Sequence, residues 1–179
     1  MKNQAAIVEN DSGFQKSNKT KRLVYGSLVI VWMLVIFFYS AQDGTKSGSS
    51  SSEITYFILD LFTRIGLISA CNYTQQQITD FEGWIRTIAH FTEYFIFGIL
   101  ALQFVRYSFA KKPVVGITGS FLFCIIYAVT DEFHQYFVPG RAMQLEDWLV
   151  DMLGVFCGIM LFTLFTKSHN DKNNGTIIK

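Results

Sequence analysis

Four long apolar segments, separated by polar stretches, dominate the hydrophobic pattern of the chain. They cover residues 23–39, 85–105, 114–130 and about 145–166. A helix needs about 20 apolar residues to cross a hydrocarbon core, so each segment is about long enough to span a bilayer. The first is too long for the apolar region of a typical signal peptide, and we expect it to be an uncleaved anchor. The pattern predicts an all-α polytopic membrane protein with about four transmembrane helices.

A different pattern lies between the first two spans. Residues 44–52 are rich in Gly and Ser and predict a loop, and Ser50 with Glu53 fits a capping box that would begin a helix. Apolar residues then recur at helical spacing up to Gly66, opposite charged ones. This predicts an amphipathic helix that lies in the headgroup plane or covers the mouth of the bundle. Thr74 and Gln77 predict a second, shorter capped helix.

Composition agrees with a membrane protein and excludes one class of partner. Half of the residues are hydrophobic (50%), and the chain holds 18 Phe but only 2 Pro. The net charge of +1 gives no overall basic field that would attract nucleic acid. The 3 cysteines are Cys71, Cys124 and Cys157, and the last two lie within apolar segments, so no intrachain disulfide framework is implied. No cofactor is predicted.

The basic residues predict the orientation of the spans. Lys and Arg cluster in the polar tail before the first span (residues 1–22), between the second and third spans (Arg106, Lys111 and Lys112), and in the tail after the fourth (residues 167–179). An even number of spans places all three clusters on one side, and short basic segments stay in the cytoplasm. We therefore expect a multi-pass membrane protein with both termini cytoplasmic. Trp84, Tyr136 and Trp148 would then lie near the outer interface.

With this orientation, four separate stretches of sequence bring polar groups to the outer ends of the spans. Helical spacing places Arg86, His90 and Glu93 on one stripe of the second span, and Asp147 and Asp151 on one stripe of the fourth. The candidate ligand-binding residues are Ser40, Gln42, Arg86, His90, Glu93, Asp131, Glu132, His134, Gln135, Arg141, Asp147 and Asp151. Charges within a membrane span are retained for pairing or for function. Because these residues lie on facing stripes at the outer ends of the spans, the predicted site is a half-buried pocket that opens to the outside.

Four other interpretations of these residues remain open. Arg86 could pair with Asp147 or Asp151 while His90 donates to Glu93 or Asp131, which would only fasten the helices together. His90 with Glu93, or Asp131 with His134, could bind a metal ion, but neither pair is a specific zinc signature, and no metal site is predicted. Acid and base catalysis would draw on His90, Glu93, Asp131, Glu132 and His134. Finally, Gly154 and Gly158 could let a partner or a second copy approach closely.

Three stretches of the chain resemble the VanZ-like family of bacterial membrane proteins. They are Phe38-Tyr39-Ser40-Ala41-Gln42; Arg86-Thr87-Ile88-Ala89-His90-Phe91-Thr92-Glu93-Tyr94; and Thr130-Asp131-Glu132-Phe133-His134-Gln135 with Pro139-Gly140-Arg141 and Asp147. Arg86 stands where the family often has Lys, and Asp151 where Asn is common. The resemblance implies a VanZ-like transmembrane domain over residues 23–166, in a cell-envelope protein that reduces the action of teicoplanin-type glycopeptides.

Three functional hypotheses follow. The first is a VanZ-like envelope protein that handles a wall precursor or lipid headgroup at the outer leaflet, or blocks access of a glycopeptide to it, with Arg86 and Arg141 holding a phosphate or carboxylate. The second is a membrane-embedded hydrolase or transferase that acts on a lipid-linked envelope substrate. The third is a structural module that binds a partner through Gly154 and Gly158.

Overall fold

The fold is all-helical in the computed structural model. The structure describes the backbone of residues 2–42, 44–66, 73–109, 112–141 and 145–176, and the side chains of residues 17–42, 52–66, 73–109, 112–141 and 145–167. Its helices are α1 (Lys2–Ser40), α2 (Gly44–Arg64), α3 (Gln75–Ser108), α4 (Pro113–Gln135) and α5 (Leu145–Thr176). No β-strand occurs among these residues. The predicted fold class is confirmed.

Four of the helices are long and apolar enough to cross a membrane. The candidate spans are Ser17–Ser40, Gln75–Ser108, Pro113–Gln135 and Leu145–Lys167. Each includes one of the four predicted segments, and α2 lies between the first two spans as predicted. With 34 residues, α3 is about 50 Å long at about 1.5 Å per residue, so it extends beyond a hydrocarbon core of about 30 Å.

Several helix ends differ from the predictions. The helix containing the first span begins at Lys2, within the segment predicted as a polar tail, and α5 continues through residue 167 to Thr176. The predicted loop over residues 44–52 lies inside α2, so Ser50 does not begin that helix. Hydrophobicity marks where a helix meets lipid, but helical hydrogen bonding continues into polar sequence. Cys71 and Lys111 lie outside the described residues, as do the side chains of residues 1–16 and 168–179.

The start of α3 confirms one cap and corrects its consequence. Thr74 accepts a hydrogen bond from the backbone N–H of Gln77, and the Gln77 side chain accepts one from the backbone N–H of Thr74. This is the predicted capping box. It begins the long helix α3 directly, so the separate short helix predicted here is wrong. A capping box fixes where a helix starts and carries no information on where it ends.

The predicted turn after α4 is present. Gly140 has a φ of 76°, in the left-handed region that glycine adopts at low cost. The backbone N–H of Arg141 donates to the carbonyl of Val138 at 3.1 Å, which closes the turn. The turn places Arg141 beside the segment that follows α1, since Arg141 Nε donates to the Gln42 carbonyl at 3.1 Å.

Helix α3 is the centre of the bundle. It packs against all four other helices, most extensively against α5. The core is formed by buried apolar residues of four helices: Val29, Ile36, Tyr94, Phe97, Ala101, Leu102, Cys124, Ala128, Val155 and Ile159. Their partners include the Trp32 indole, which donates to the Glu93 carbonyl at 2.9 Å, and the Tyr127 hydroxyl, which donates to the Met33 carbonyl at 2.6 Å.

The close packing of α3 and α5 depends on glycine. A methyl group at Gly154 would meet the carbonyl oxygen of Phe91 at 2.5 Å, and one at Gly158 would collide with the carbonyl oxygen of Phe95. The predicted stripe of small residues is therefore occupied by a helix of the same chain. The same face of α5 carries Asp151, whose side chain is fully buried in the bundle.

Helix α2 presents most of its apolar residues outward. Phe57 and Ile65 are 67% and 58% exposed, while Thr55 is buried against the rest of the bundle. The Ser52 hydroxyl donates to the Glu82 carboxylate at 2.5 Å, which ties α2 to the first part of α3. An exposed apolar face beside membrane spans is typical of a helix at the lipid interface.

Candidate functional site

The predicted polar residues meet at one end of the bundle, around a cavity of about 130 Å³. Seven of them line it: Ser40, Gln42, Arg86, His90, Glu93, Asp131 and Arg141. Apolar contributions come from Ile54 of α2 and from Ile85 and Ala89 of α3. The end of α1, the first half of α3, the end of α4 and the turn after α4 therefore converge, with α2 forming one wall. Sequence spacing predicted this convergence.

Two arginines form the cationic part of the cavity. Arg86 lies three turns into α3, and its Nε is buried without a hydrogen-bond partner among the described residues. Arg141 is held by the turn after α4 through its bond to the Gln42 carbonyl. Burial and the neighbouring Arg86 guanidinium lower the pKa of Arg141 below its usual value. Two guanidiniums that approach each other in a partly buried cavity form a binding site suited to an anion.

The acidic part of the cavity lies deeper in the bundle. Glu93 is seven residues beyond Arg86 on α3, which is about 10 Å along the helix axis. Asp131 is only 4% exposed. Its Oδ2 accepts hydrogen bonds from the Tyr94 hydroxyl and the Gln135 amide, each at 3.3 Å. A ligand that placed an anion between the arginines would thus meet carboxyl groups beneath it.

A histidine and an aspartate contact each other beside the cavity. His90 Nδ1 lies 3.3 Å from Asp151 Oδ1, and the Asp151 side chain is fully buried. Asp151 lies behind the ring and does not line the cavity, so the contact fixes the orientation of His90 from inside the bundle. The other ring nitrogen, Nε2, is then the one that a ligand in the cavity can reach.

The predicted structural pairing of these charges is therefore wrong in its details. Among the described residues, Arg86 makes no salt bridge with Asp147 or Asp151, and His90 contacts Asp151 instead of Glu93 or Asp131. Helical spacing gave the correct face of each helix. It could not give the relative height of α3 and α5, which decides which acid meets the histidine.

Five predicted residues do not line the cavity. Glu132 and Gln135 are buried at the end of α4, and Asp151 lies behind His90. His134 stacks on the Phe37 ring at a centroid distance of 4.7 Å, outside the cavity. Asp147 is half-buried on α5. Of these, Gln135 and Asp151 act on the cavity indirectly, by contacting Asp131 and His90.

One residue at the site was missed by the sequence analysis. Tyr94 is completely buried and donates to Asp131. It lies four residues after His90, on the same face of α3, so helical spacing could have identified it. The Ser40 hydroxyl also lies next to the Asp131 carboxylate, at a geometry outside an ordinary hydrogen bond. Together these groups surround Asp131 with polar contacts from α1, α3 and α4.

The cavity combines cationic and acidic side chains in a small volume. Its volume is below the range of about 300–1,000 Å³ typical of cavities for drug-sized ligands, so it suits one polar group of a larger molecule. No cluster of three or more His, Cys, Asp or Glu side chains arranged to hold a metal ion occurs among the described residues.

A comparison with known protein families shows to which family the chain belongs. The sequence model of the VanZ/LLP1 family matches residues 26–166. The chain belongs to the VanZ/LLP1 family. The match includes every residue of the cavity, so the site lies within the family domain. No curated protein and no solved structure matches the chain. Within this VanZ/LLP1 protein, the conclusions about chemistry therefore depend on the geometry of the site itself.

Proposed function

We propose that this VanZ-like protein binds the anionic headgroup of a wall precursor or envelope lipid at the outer leaflet, and thereby reduces the action of teicoplanin-type glycopeptides. The convergence of Arg86 and Arg141 on one small cavity is the observation that carries the proposal. Guanidinium groups bind phosphate or carboxylate oxygens through paired hydrogen bonds, which a lysine cannot reproduce.

The position of the acids narrows the class of ligand. A bare anion gains nothing from Glu93 and Asp131 beneath the arginines. A headgroup with hydroxyl or amide donors next to its phosphate places those donors where the carboxyl groups can accept them. Sugars and amino sugars joined to a lipid phosphate have this combination. A wall precursor therefore fits the site better than a simple phosphate.

The distribution of basic and aromatic residues supports action at the outer surface. The described cations of the opposite bundle end include Lys21, Arg106 and Lys167, and short basic segments remain in the cytoplasm. Trp84 is 67% exposed and Tyr136 is 65% exposed near the cavity end, as is typical of aromatic residues at a membrane interface. In this orientation both termini are cytoplasmic and the cavity faces outward.

A complementation experiment tests the proposal. A strain that lacks the gene would receive wild-type protein, the double variant Arg86→Gln/Arg141→Gln, or Arg64→Gln, which removes an exposed arginine on α2. We expect wild type and Arg64→Gln to restore teicoplanin tolerance and the double variant to fail at equal membrane levels. Full complementation by the double variant would contradict an anion site formed by these arginines.

A hydrolase or transferase is a second candidate, favoured by the contact between His90 and Asp151. A histidine oriented by a buried carboxylate is suited to accept a proton from water at the edge of an anion site. Purified protein in vesicles that contain a polyprenyl diphosphate would then release phosphate, and His90→Gln would abolish release without loss of headgroup binding. Absence of release by the wild type would reject this candidate and leave the binding function intact.

A further inference from the structure

A second cavity, of about 290 Å³, lies at the other end of the bundle between α3, α4 and α5. Arg106 at the end of α3 and Lys167 on α5 contribute its charges, and Pro113 begins α4 at its edge. Leu102 and Ile117 form an apolar wall. It shares no residue with the cavity that contains the two arginines of the first site.

Among the described residues, acidic side chains are absent from this end of the bundle. The described cations at this end are Lys19, Lys21, Arg22, Arg106, Lys112 and Lys167. Every described Asp and Glu side chain lies within residues 53–93 or 131–151, in the segments that form α2 and the opposite end. Among the described residues, Arg106 and Lys167 therefore have no acidic partner, and their charges are available to a ligand.

The remaining polar groups of this cavity do not compete for an anion. The Thr163 hydroxyl donates to the Ile159 carbonyl at 2.7 Å, and the Thr166 hydroxyl donates to the Phe162 carbonyl at 3.0 Å. Both hydroxyl protons are thus used within α5. The side-chain donors left at the cavity are the Arg106 guanidinium and the Lys167 ammonium group.

The start of α4 adds to the positive potential. Pro113 occupies the first turn, and the residue before it, Lys112, makes no side-chain hydrogen bond that would cap the helix. Among the residues that the structure describes, no acidic or hydroxyl side chain caps this end, so the positive end of the helix dipole faces the cavity edge. This contribution supports the two side-chain charges and is secondary to them.

The geometry points to an anionic phospholipid as the occupant of this cavity. We propose that its phosphate lies between Arg106 and Lys167 while the start of an acyl chain lies against Leu102 and Ile117. An apolar wall lies beside two cations that have no acidic partner among the described residues, at the ends of three membrane spans. This combination fits an amphiphile better than a free ion. Because short basic segments stay in the cytoplasm, this lipid belongs to the cytosolic leaflet.

Lipid-dependent thermal stability tests the proposal. Purified protein in a neutral detergent would be titrated with phosphatidylglycerol, with phosphatidylcholine and with inorganic phosphate, and the unfolding midpoint recorded. We expect a saturable rise with phosphatidylglycerol only. Arg106→Gln/Lys167→Gln should weaken this binding by about tenfold or more, from the loss of two cations that each contribute about 1 kcal/mol. An equal response to phosphatidylcholine, or displacement of the lipid by millimolar phosphate, would overturn the proposal.

Two controls separate a built site from general attraction between charges. Lys19→Gln/Lys112→Gln removes the same charge from the same end but leaves the lining of the cavity unchanged, and it should retain binding. Ile117→Phe fills the cavity at constant charge and should weaken binding. Equal losses in the two double variants, or full binding by Ile117→Phe, would contradict the proposed site. All variants would first be compared with wild type without lipid, to confirm that they fold.

Discussion

At the scale of single residues, the site depends on ionisable groups that are buried in a membrane-spanning bundle. Asp151 is fully buried, and it contacts His90, a histidine that is itself only 8% exposed. A charge placed in a membrane span costs about 2.5–3.5 kcal/mol on insertion scales. The cost is reduced where a partner is present. His90 thus has two roles, as a partner for Asp151 within the bundle and as a polar wall of the cavity.

Removal of the histidine should therefore destabilise the protein through Asp151. His90→Ala leaves a buried carboxyl group without its partner, and breaking a buried ion pair costs about 3–5 kcal/mol. The double variant His90→Ala/Asp151→Asn removes the acid as well and should recover part of the loss. Thermal unfolding of the purified variants in detergent measures both effects. Equal unfolding midpoints for the single and double variants would show that Asp151 does not depend on His90.

At the scale of helices, the spacing of residues along the chain predicted correctly which side of each helix faces the bundle interior. It did not predict which residues of two neighbouring helices contact each other. The stripe of Arg86, His90 and Glu93 does face one cavity, and the stripe of Asp151, Gly154 and Gly158 does face into the bundle. The partner of His90 was not predictable, because periodicity is a property of one helix and register is a property of two. Tyr94 was missed although its spacing was visible, since an aromatic residue in a span is usually read as packing.

The pattern of hydrophobic residues also did not predict where the helices end. The helices that contain the first and fourth spans extend into the polar residues that precede the first span and follow the fourth. In contrast, the capping box at Thr74 and Gln77 was found because its signal is a specific pair of side chains at fixed spacing. Local hydrogen-bond chemistry fixes a helix start more sharply than a change of hydropathy does.

The packing of α3 on α5 gives a matched pair of substitutions. Gly158→Ala would collide with the backbone of Phe95, whereas a methyl group at Gly83 meets nothing within 4 Å. We expect Gly158→Ala to destabilise the protein by about 1–3 kcal/mol through overpacking. Gly83→Ala, within the exposed first part of α3, should stabilise it by about 0.5–1 kcal/mol.

Thermal unfolding in detergent measures both variants under the same conditions. A Gly158→Ala protein as stable as wild type would show that α3 and α5 do not approach as closely as described. It would also return the glycine stripe to its other predicted role, as a surface for a second copy or a partner.

At the scale of the whole molecule, the two ends of the bundle differ in charge, in shape and in proposed ligand. One end holds two arginines above buried acids in a small cavity, and the other holds cations beside an apolar wall. The second end, which has cations and no acid among the described residues, is the one that a membrane surface rich in anionic lipid would attract. The match to the VanZ/LLP1 family over residues 26–166 includes the whole lining of the first cavity and every lining residue of the second except Lys167.

The most direct test of this account is the side of the membrane on which each end lies. In a cysteine-free background, Tyr136→Cys beside the first cavity and Lys112→Cys at the basic end would be labelled in intact cells with a membrane-impermeant maleimide. The account predicts labelling of position 136 in intact cells and of position 112 only after permeabilisation. The reverse pattern, or labelling of both positions from one side, would contradict it.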